Sequence, residues 1–124
     1  MTQTVNVKRI VADIEAAAPA QAEPFYERVL GLKPVMDQGW IRTYSNGEMM
    51  PVQISFASEG GAGTPVPDLS IEVDNLDVVL DRLQREGIPL EYGPVSEPWG
   101  VRRCFVRDPF GKLLNLMQHA NSAE

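Results

Sequence analysis

Cysteine, histidine and basic charge are all scarce in this sequence, and each scarcity closes off a class of chemistry. One cysteine, Cys104, excludes an intrachain disulfide. Set between Arg103 and Phe105 on an apolar stretch, it reads as a small buried hydrophobe, since a nucleophilic thiol needs a nearby base. The only histidine, His119, follows Met117 and Gln118 close to the end of the chain and reads as a solvated tail residue; a lone imidazole makes no metal site. Eleven basic against 17 acidic residues give a net charge of −6, a surface that repels phosphate backbones and argues against nucleic acid as a partner. No apolar run reaches the length of a membrane span, and the opening MTQTVNVKRI lacks the hydrophobic stretch of a signal peptide, so no membrane partner and a cytoplasmic location are expected. What remains, 44% apolar and 23% charged over 124 residues, is the composition of an ordinary soluble globular protein and the length of one compact domain, residues 1–124.

Laid over itself at an offset of roughly 55–65 residues, the chain repeats one supersecondary plan. The first copy, residues 4–57, opens with a strand over Val7 to Ile14 that puts Ile10, Ala12 and Ile14 on one face and Arg9, Val11 and Asp13 on the other. A helix is expected from about Ala20 to Leu30, with Phe25, Tyr26, Val29 and Leu30 as its apolar stripe and Gly31 as its stop. Pro24 fits only if the regular helix starts near Glu23 or its first turn is irregular. Strands over Lys33–Met36, Trp40–Tyr44 and Val52–Phe56 follow, with a turn at Asn46-Gly47. The linker 58–67 is rich in glycine, but Pro65 and Pro67 lead into a strand where a phosphate loop would need a helix. The second copy, 68–119, has a strand at Leu69–Val73, a cap at Asp74 or Asn75, and a helix carrying Leu76, Val79, Leu80 and Leu83 up to Gly87. Strands at Leu90–Tyr92, Val101–Arg107 and Leu113–Met117 complete it. The expected fold is α+β: two βαβββ modules forming a curved, incomplete eight-stranded barrel-like sheet whose two free faces enclose a central cleft.

Glu97 to Leu116 is the most informative stretch. Two apolar strands are joined by a turn at Asp108-Pro109-Phe110-Gly111, and the return strand sets Asn115 between Leu114 and Leu116, presenting an amide to the face opposite the leucines. Trp-Gly followed by arginine, then Asp-Pro-Phe-Gly, then a strand with an inward central residue resembles the last strands of the vicinal oxygen chelate superfamily, which includes glyoxalase I, bleomycin-resistance proteins and extradiol dioxygenases. The resemblance covers nearly the whole chain.

It implies that four inward positions, two per module, face a shared site where metal enzymes of the superfamily hold a divalent ion with His, Gln or Glu. Carried over, those positions are Val11, Gln53, Asp68 and Asn115, a set with one carboxylate, two neutral amides and no imidazole. No metal and no cofactor are expected from it. Gln53 and Asn115 can contact a ligand or bond each other, and Asp68 can be a ligand contact or a plain turn carboxylate. Trp99, between Pro98 and Gly100, and Trp40, after Gly39, read as rings at the mouth of a cleft or as covers of a sheet end or dimer contact. If Phe105 faces the cleft with Asn115, so does Arg103, leaving Arg102 outside, and Glu97 can pair with either. The expected ligand-binding set is thus Trp99, Trp40, Gln53, Asp68, Arg103, Phe105, Asn115 and Asp13. With the bleomycin-resistance branch as the nearest resemblance, the expected function is binding or sequestering a small drug or metabolite, cationic by the net charge, in a metal-free cleft of a homodimer. The alternatives are a glyoxalase-like lyase, isomerase or dioxygenase that assembles a metal site from Asp13, Asp68 and Gln53, and a metal-free enzyme with Asp68 or Asp13 as base.

Overall fold

The computed structural model describes residues 3–28, 31–47 and 53–120. Two repeats of one strand plan are visible in it: β1 (Val7–Glu15), β2 (Lys33–Asp37), β3 (Ile41–Ser45) and β4 (Gln53–Ala57), then β5 (Leu69–Val73), helix α1 (Leu76–Arg85), β6 (Tyr92–Ser96), β7 (Val101–Arg107) and β8 (Leu113–His119). In each repeat the first strand pairs in parallel with the fourth, β1 with β4 and β5 with β8, and the remaining pairings are antiparallel hairpin partners. The hydrogen-bonded order is β2-β3-β4-β1-β5-β8-β7-β6, an eight-stranded mixed sheet with β2 and β6 as its edges. The fold is α+β.

The chain falls into two compact units, residues 11–66 and residues 1–10 with 67–124, so that β1 contributes its first half to one and its second half to the other. In the unit built on 67–124, strand alternation sends Val73, Cys104, Val106 and Leu116 to α1, where they meet the fully buried Leu76. Val79, Leu80 and Leu83 complete the apolar stripe of the helix against them. Asn75 caps α1 by accepting from the Val78 amide at 3.3 Å, and Gln118 Oε1 accepts from the Leu76 amide at 2.8 Å. Cys104 is fully buried, and loss of hydration pushes its thiol up to about 11, which makes it the packing residue its neighbours suggest.

In the unit 11–66 the expected regular helix over Ala20 to Leu30 is replaced by a 3-10 turn, Pro19–Ala22, running into a π-helical turn, Glu23–Glu27. Pro24 has no amide to give an α-helical ladder, and the turn closes instead with the Arg28 amide donating to the Glu23 carbonyl at 3.1 Å. Tyr26 keeps its expected place, its ring 4.7 Å from that of Phe56 and 6.4 Å from that of Tyr44, but Phe25 is turned out to solvent. Val29 and Leu30 of the expected stripe, and Val52 of the expected third strand, lie outside the described residues.

β6 also departs from expectation. The expected strand Leu90–Tyr92 meets the observed one only at Tyr92: β6 runs Tyr92–Ser96, and Gly93-Pro94 forms a bulge inside this edge strand. An edge strand leaves one row of amides unpaired, so a proline is tolerated there, and Gly93, at φ +77°, makes the bend. An added Cβ at Gly93 would stand 2.4 Å from the Arg103 carbonyl oxygen, so the close approach of β6 to β7 requires glycine. β8 likewise runs two residues beyond Met117, because Val101 still pairs with His119.

Candidate functional site

The face of β5, β8, β7 and β6 turned away from α1 carries the polar residues. Register sets Ser70, Asn115, Phe105 and Tyr92 in one row across these strands, and Glu72, Met117 and Arg103 in the next. Leu114 and Leu116, one residue off, point to the helix.

Arg103 is the centre of this face. Only 2% exposed, its guanidinium donates through Nε to Glu97 Oε2 at 2.7 Å, and Glu97 is itself buried. The Tyr92 hydroxyl donates to the same Glu97 oxygen at 2.8 Å; burial and this donation raise the phenol above its ordinary range, so it stays protonated. Arg103 Cζ lies 4.8 Å from the Phe105 ring, 5.0 Å from Trp99 and 5.4 Å from Tyr92. Three aromatic rings and one carboxylate thus enclose an internal cation. This changes the meaning of Trp99: its ring is a wall of the arginine cage, and the cage already holds a positive charge. Arg102, as the alternation requires, is outside, paired with Asp77 at 2.7 Å.

Asn115 lies across from Phe105, 6% exposed. Its Nδ2 donates to Ser70 Oγ at 3.1 Å and approaches Met117 Sδ at 3.8 Å, while Oδ1 is buried with no hydrogen-bond partner among the described residues. Rotating the amide by half a turn exchanges its two ends but still leaves one of them bare. A bare buried polar atom costs about 1–3 kcal/mol, so a polar group that reached Asn115 would be stabilised there.

A second cluster lies farther along the same face. Glu72, 7% exposed, accepts from Arg9 Nε at 2.6 Å, lies 3.0 Å from His119 Nδ1 and has Lys8 Nζ at 3.7 Å. Burial works against its charge, but the bonds from Arg9 and His119 outweigh burial and hold the carboxyl below its usual range. His119 is therefore a strand residue engaged with a buried carboxylate, not a solvated tail residue. The sequence hid it because β8 was expected to stop at Met117. Glu72 and Tyr92 were missed for a related reason, since only the register of β5 and β6 against β8 and β7 brings them to this face.

Of the residues expected at the site, Trp99, Asp68, Arg103, Phe105 and Asn115 belong to this unit and Trp40, Gln53 and Asp13 to the unit 11–66. Asp68 is exposed and its Oδ2 accepts from the Leu113 amide at 2.9 Å, while its own amide donates to the Leu113 carbonyl at 2.8 Å, so it clasps the start of β5 to β8. In the other unit Gln53 pairs with Ser45 across the sheet, Asp13 and Trp40 are half-buried, and Thr43 and Ser55 share a buried hydroxyl contact of 2.7 Å. The four positions that hold a divalent ion in the resembling enzymes do not fit one here: Val11 has no donor atom and is 4% exposed, Asp68 is engaged with backbone, and Asn115 offers a neutral amide. Among the described residues no group of three or more His, Cys, Asp or Glu side chains is placed to hold a metal.

Among solved structures the fold recurs widely. The chain aligns with a structure described as NAD-dependent benzaldehyde dehydrogenase from Legionella pneumophila at TM-score 0.70 and 15% identity, covering 90% of this chain and 99% of that one. Methylmalonyl-CoA epimerase from Mycobacterium tuberculosis aligns at TM-score 0.65 and 23% identity, covering 97% and 93%. A glyoxalase/bleomycin resistance protein/dioxygenase superfamily member from Vibrio splendidus 12B01 aligns at 0.58 and 16%, covering 91% and 99%. At these identities the likeness is one of fold. No curated protein matches the chain. The sequence model of the Glyoxalase/Bleomycin resistance protein/Dioxygenase superfamily matches residues 7–116, and the chain belongs to that superfamily.

Proposed function

We propose that the protein binds a small organic molecule, neutral and bearing a hydroxyl or amide group, on the face of β5, β8, β7 and β6 opposite α1, without a metal. The observation that carries this reading is Asn115 Oδ1, a buried amide oxygen without a hydrogen-bond partner among the described residues. A hydroxyl or amide both donates and accepts, so it satisfies whichever end of Asn115 it meets. The cationic ligand suggested by net charge is not retained: the rings that would receive it already enclose Arg103, and the charge of −6 belongs to the surface as a whole. Trp99 remains the natural reporter, since a ligand reaching the wall of the cage alters its fluorescence. The homodimer and the cytoplasmic location stay part of the proposal, the first to be read by analytical ultracentrifugation.

The test is a screen of hydroxyl- and amide-bearing metabolites by tryptophan fluorescence, repeated on Asn115→Leu. Leucine is close in shape to asparagine and removes the unsatisfied atom along with the Ser70 bond, so stability should change by no more than about 1 kcal/mol while affinity falls about tenfold or more. An Asn115 that served packing alone would give the reverse, a loss of stability with affinity unchanged.

A further inference from the structure

The two turns that stand where the first helix was expected border a cavity of about 290 Å³, and all of its lining residues lie in the unit 11–66. Phe56 of β4, which alternation points away from the Thr43–Ser55 contact, is 6% exposed and meets the Tyr26 ring at 4.7 Å with the planes tilted by 50°. Tyr26 is backed in turn by Tyr44 at 6.4 Å and met edge-on by Phe25 at 5.1 Å, so its ring is held in an aromatic cluster. The buried Pro19 lines the cavity with the two rings. The backbone around it is tied down, because the Ala16 amide donates to the Ala57 carbonyl at 2.6 Å and the Gln21 amide to the Ala18 carbonyl at 2.9 Å. Ala16, Ala18 and Ala22 contribute only methyl groups to the lining, and a leucine at Ala22 would occupy the space.

The lining limits what can occupy this cavity. None of its residues is charged, so an ion would enter without a partner. Two aromatic rings favour a third, which stacks or meets them edge-on at about 4.5–7 Å between centres. An apolar cavity of about 150 Å³ takes benzene, so this one has room for a single ring with a short substituent. The Tyr26 hydroxyl and the Gln21 side-chain amide, the polar side-chain groups among the lining residues, both donate and accept, which matches a hydroxyl or amide on that substituent. We propose that the cavity is a second binding site for a neutral molecule made of one aromatic ring and a short hydroxyl- or amide-bearing arm. It shares no residue with the Asn115 face and does not depend on that reading.

The probe is 4-fluorobenzyl alcohol, followed by fluorine-19 NMR. It should bind the wild type saturably with a Kd of about 1 mM or below, and its ring protons should show nuclear Overhauser contacts to the methyls of Ala16 and Ala22. Ala22→Leu should weaken binding about tenfold or more at an unchanged thermal midpoint. Tyr26→Phe, which keeps the ring and removes the hydroxyl, should weaken the alcohol about fivefold and leave the binding of fluorobenzene as it is. Cyclohexylmethanol, of similar shape but without a ring face, and the charged 4-fluorobenzoate should compete at least about tenfold more weakly than benzyl alcohol. Absence of saturation, or equal competition by either of these two compounds, overturns the proposal. Should Ala22→Leu fail to fold, the methyl contacts in the wild type decide, and their absence overturns it as well. Asn115→Leu should leave this binding unchanged; a probe displaced by Asn115→Leu and retained by Ala22→Leu occupies the other face, which refutes this site and supports that one.

Discussion

At the scale of single residues the second unit contrasts two buried polar groups that satisfy themselves differently. Arg103 and Glu97 neutralise each other and are walled by rings, so their joint desolvation is offset by a 2.7 Å charge-assisted bond and by the Tyr92 hydroxyl. Removing Glu97 takes from the buried guanidinium its 2.7 Å carboxylate partner. Glu97→Gln should therefore cost about 3–5 kcal/mol in urea unfolding, whereas the double variant Glu97→Gln/Arg103→Met should recover most of it by removing the buried cation as well. If the double variant is as unstable as the single one, the damage comes from packing of the aromatic cage and not from charge. Asn115 Oδ1 has no such compensation among the described residues, and the ligand site proposed above rests on that atom.

Elements set where those residues stand. Tyr92 starts β6 and Glu97 follows its end; both reach Arg103 because the strand bulges between Tyr92 and Val95. Gly93→Ala tests that link: its Cβ would lie 2.4 Å from the Arg103 carbonyl oxygen in a backbone region that disfavours side chains. A loss of about 2–4 kcal/mol in denaturant midpoint is expected, together with changed Trp99 fluorescence as the cage opens. A stable variant with native fluorescence would show that the bulge does not hold the cage. Most strands were legible from their alternation, since period two over five or more residues has few competing explanations; Leu69–Val73 and Val101–Arg107 match the expectation to the residue. What alternation missed was β6, where glycine and proline carry the local signal of a turn and only the pairing with β7 overrides it, and the first helix, where Pro24 selects a π turn whose width no apolar stripe announces.

For the whole molecule, the acidic balance of −6 and the depressed carboxylates together set the response to acid. Glu72 is held low by Arg9 and His119 against its burial, Asp74 by the Asn6 amides, and Asp37 by the Gly39 amide and Arg42. Each folded pKa lies below its unfolded value, so the stability these groups contribute is complete above the ordinary carboxylate range of about 4 and is lost as pH falls through the folded values. Urea midpoints should thus be flat from neutral pH down to about 5 and fall steeply below about 4, with a shallower fall in Glu72→Gln. A midpoint that rises on acidification would contradict the sign.

The sequence by itself determined the α+β class, the doubled strand plan, the face on which Asn115, Phe105 and Arg103 lie together, and the superfamily. The class and the shared face follow from alternation and from turns such as Asp108-Pro109-Phe110-Gly111, where local stereochemistry leaves few alternatives, the doubling from the self-match of the two halves, and the superfamily from the resemblance of the Glu97–Leu116 stretch. Tertiary structure alone decided which polar groups meet. Glu72 and His119 are 47 residues apart, Arg9 and Glu72 are 63 apart, and the choice of Glu97 as partner of Arg103 depends on a bulge in a third strand. The physical reason is range: alternation fixes the direction of a side chain relative to its own strand, but a hydrogen bond across strands depends on register, and register is a property of the assembled sheet.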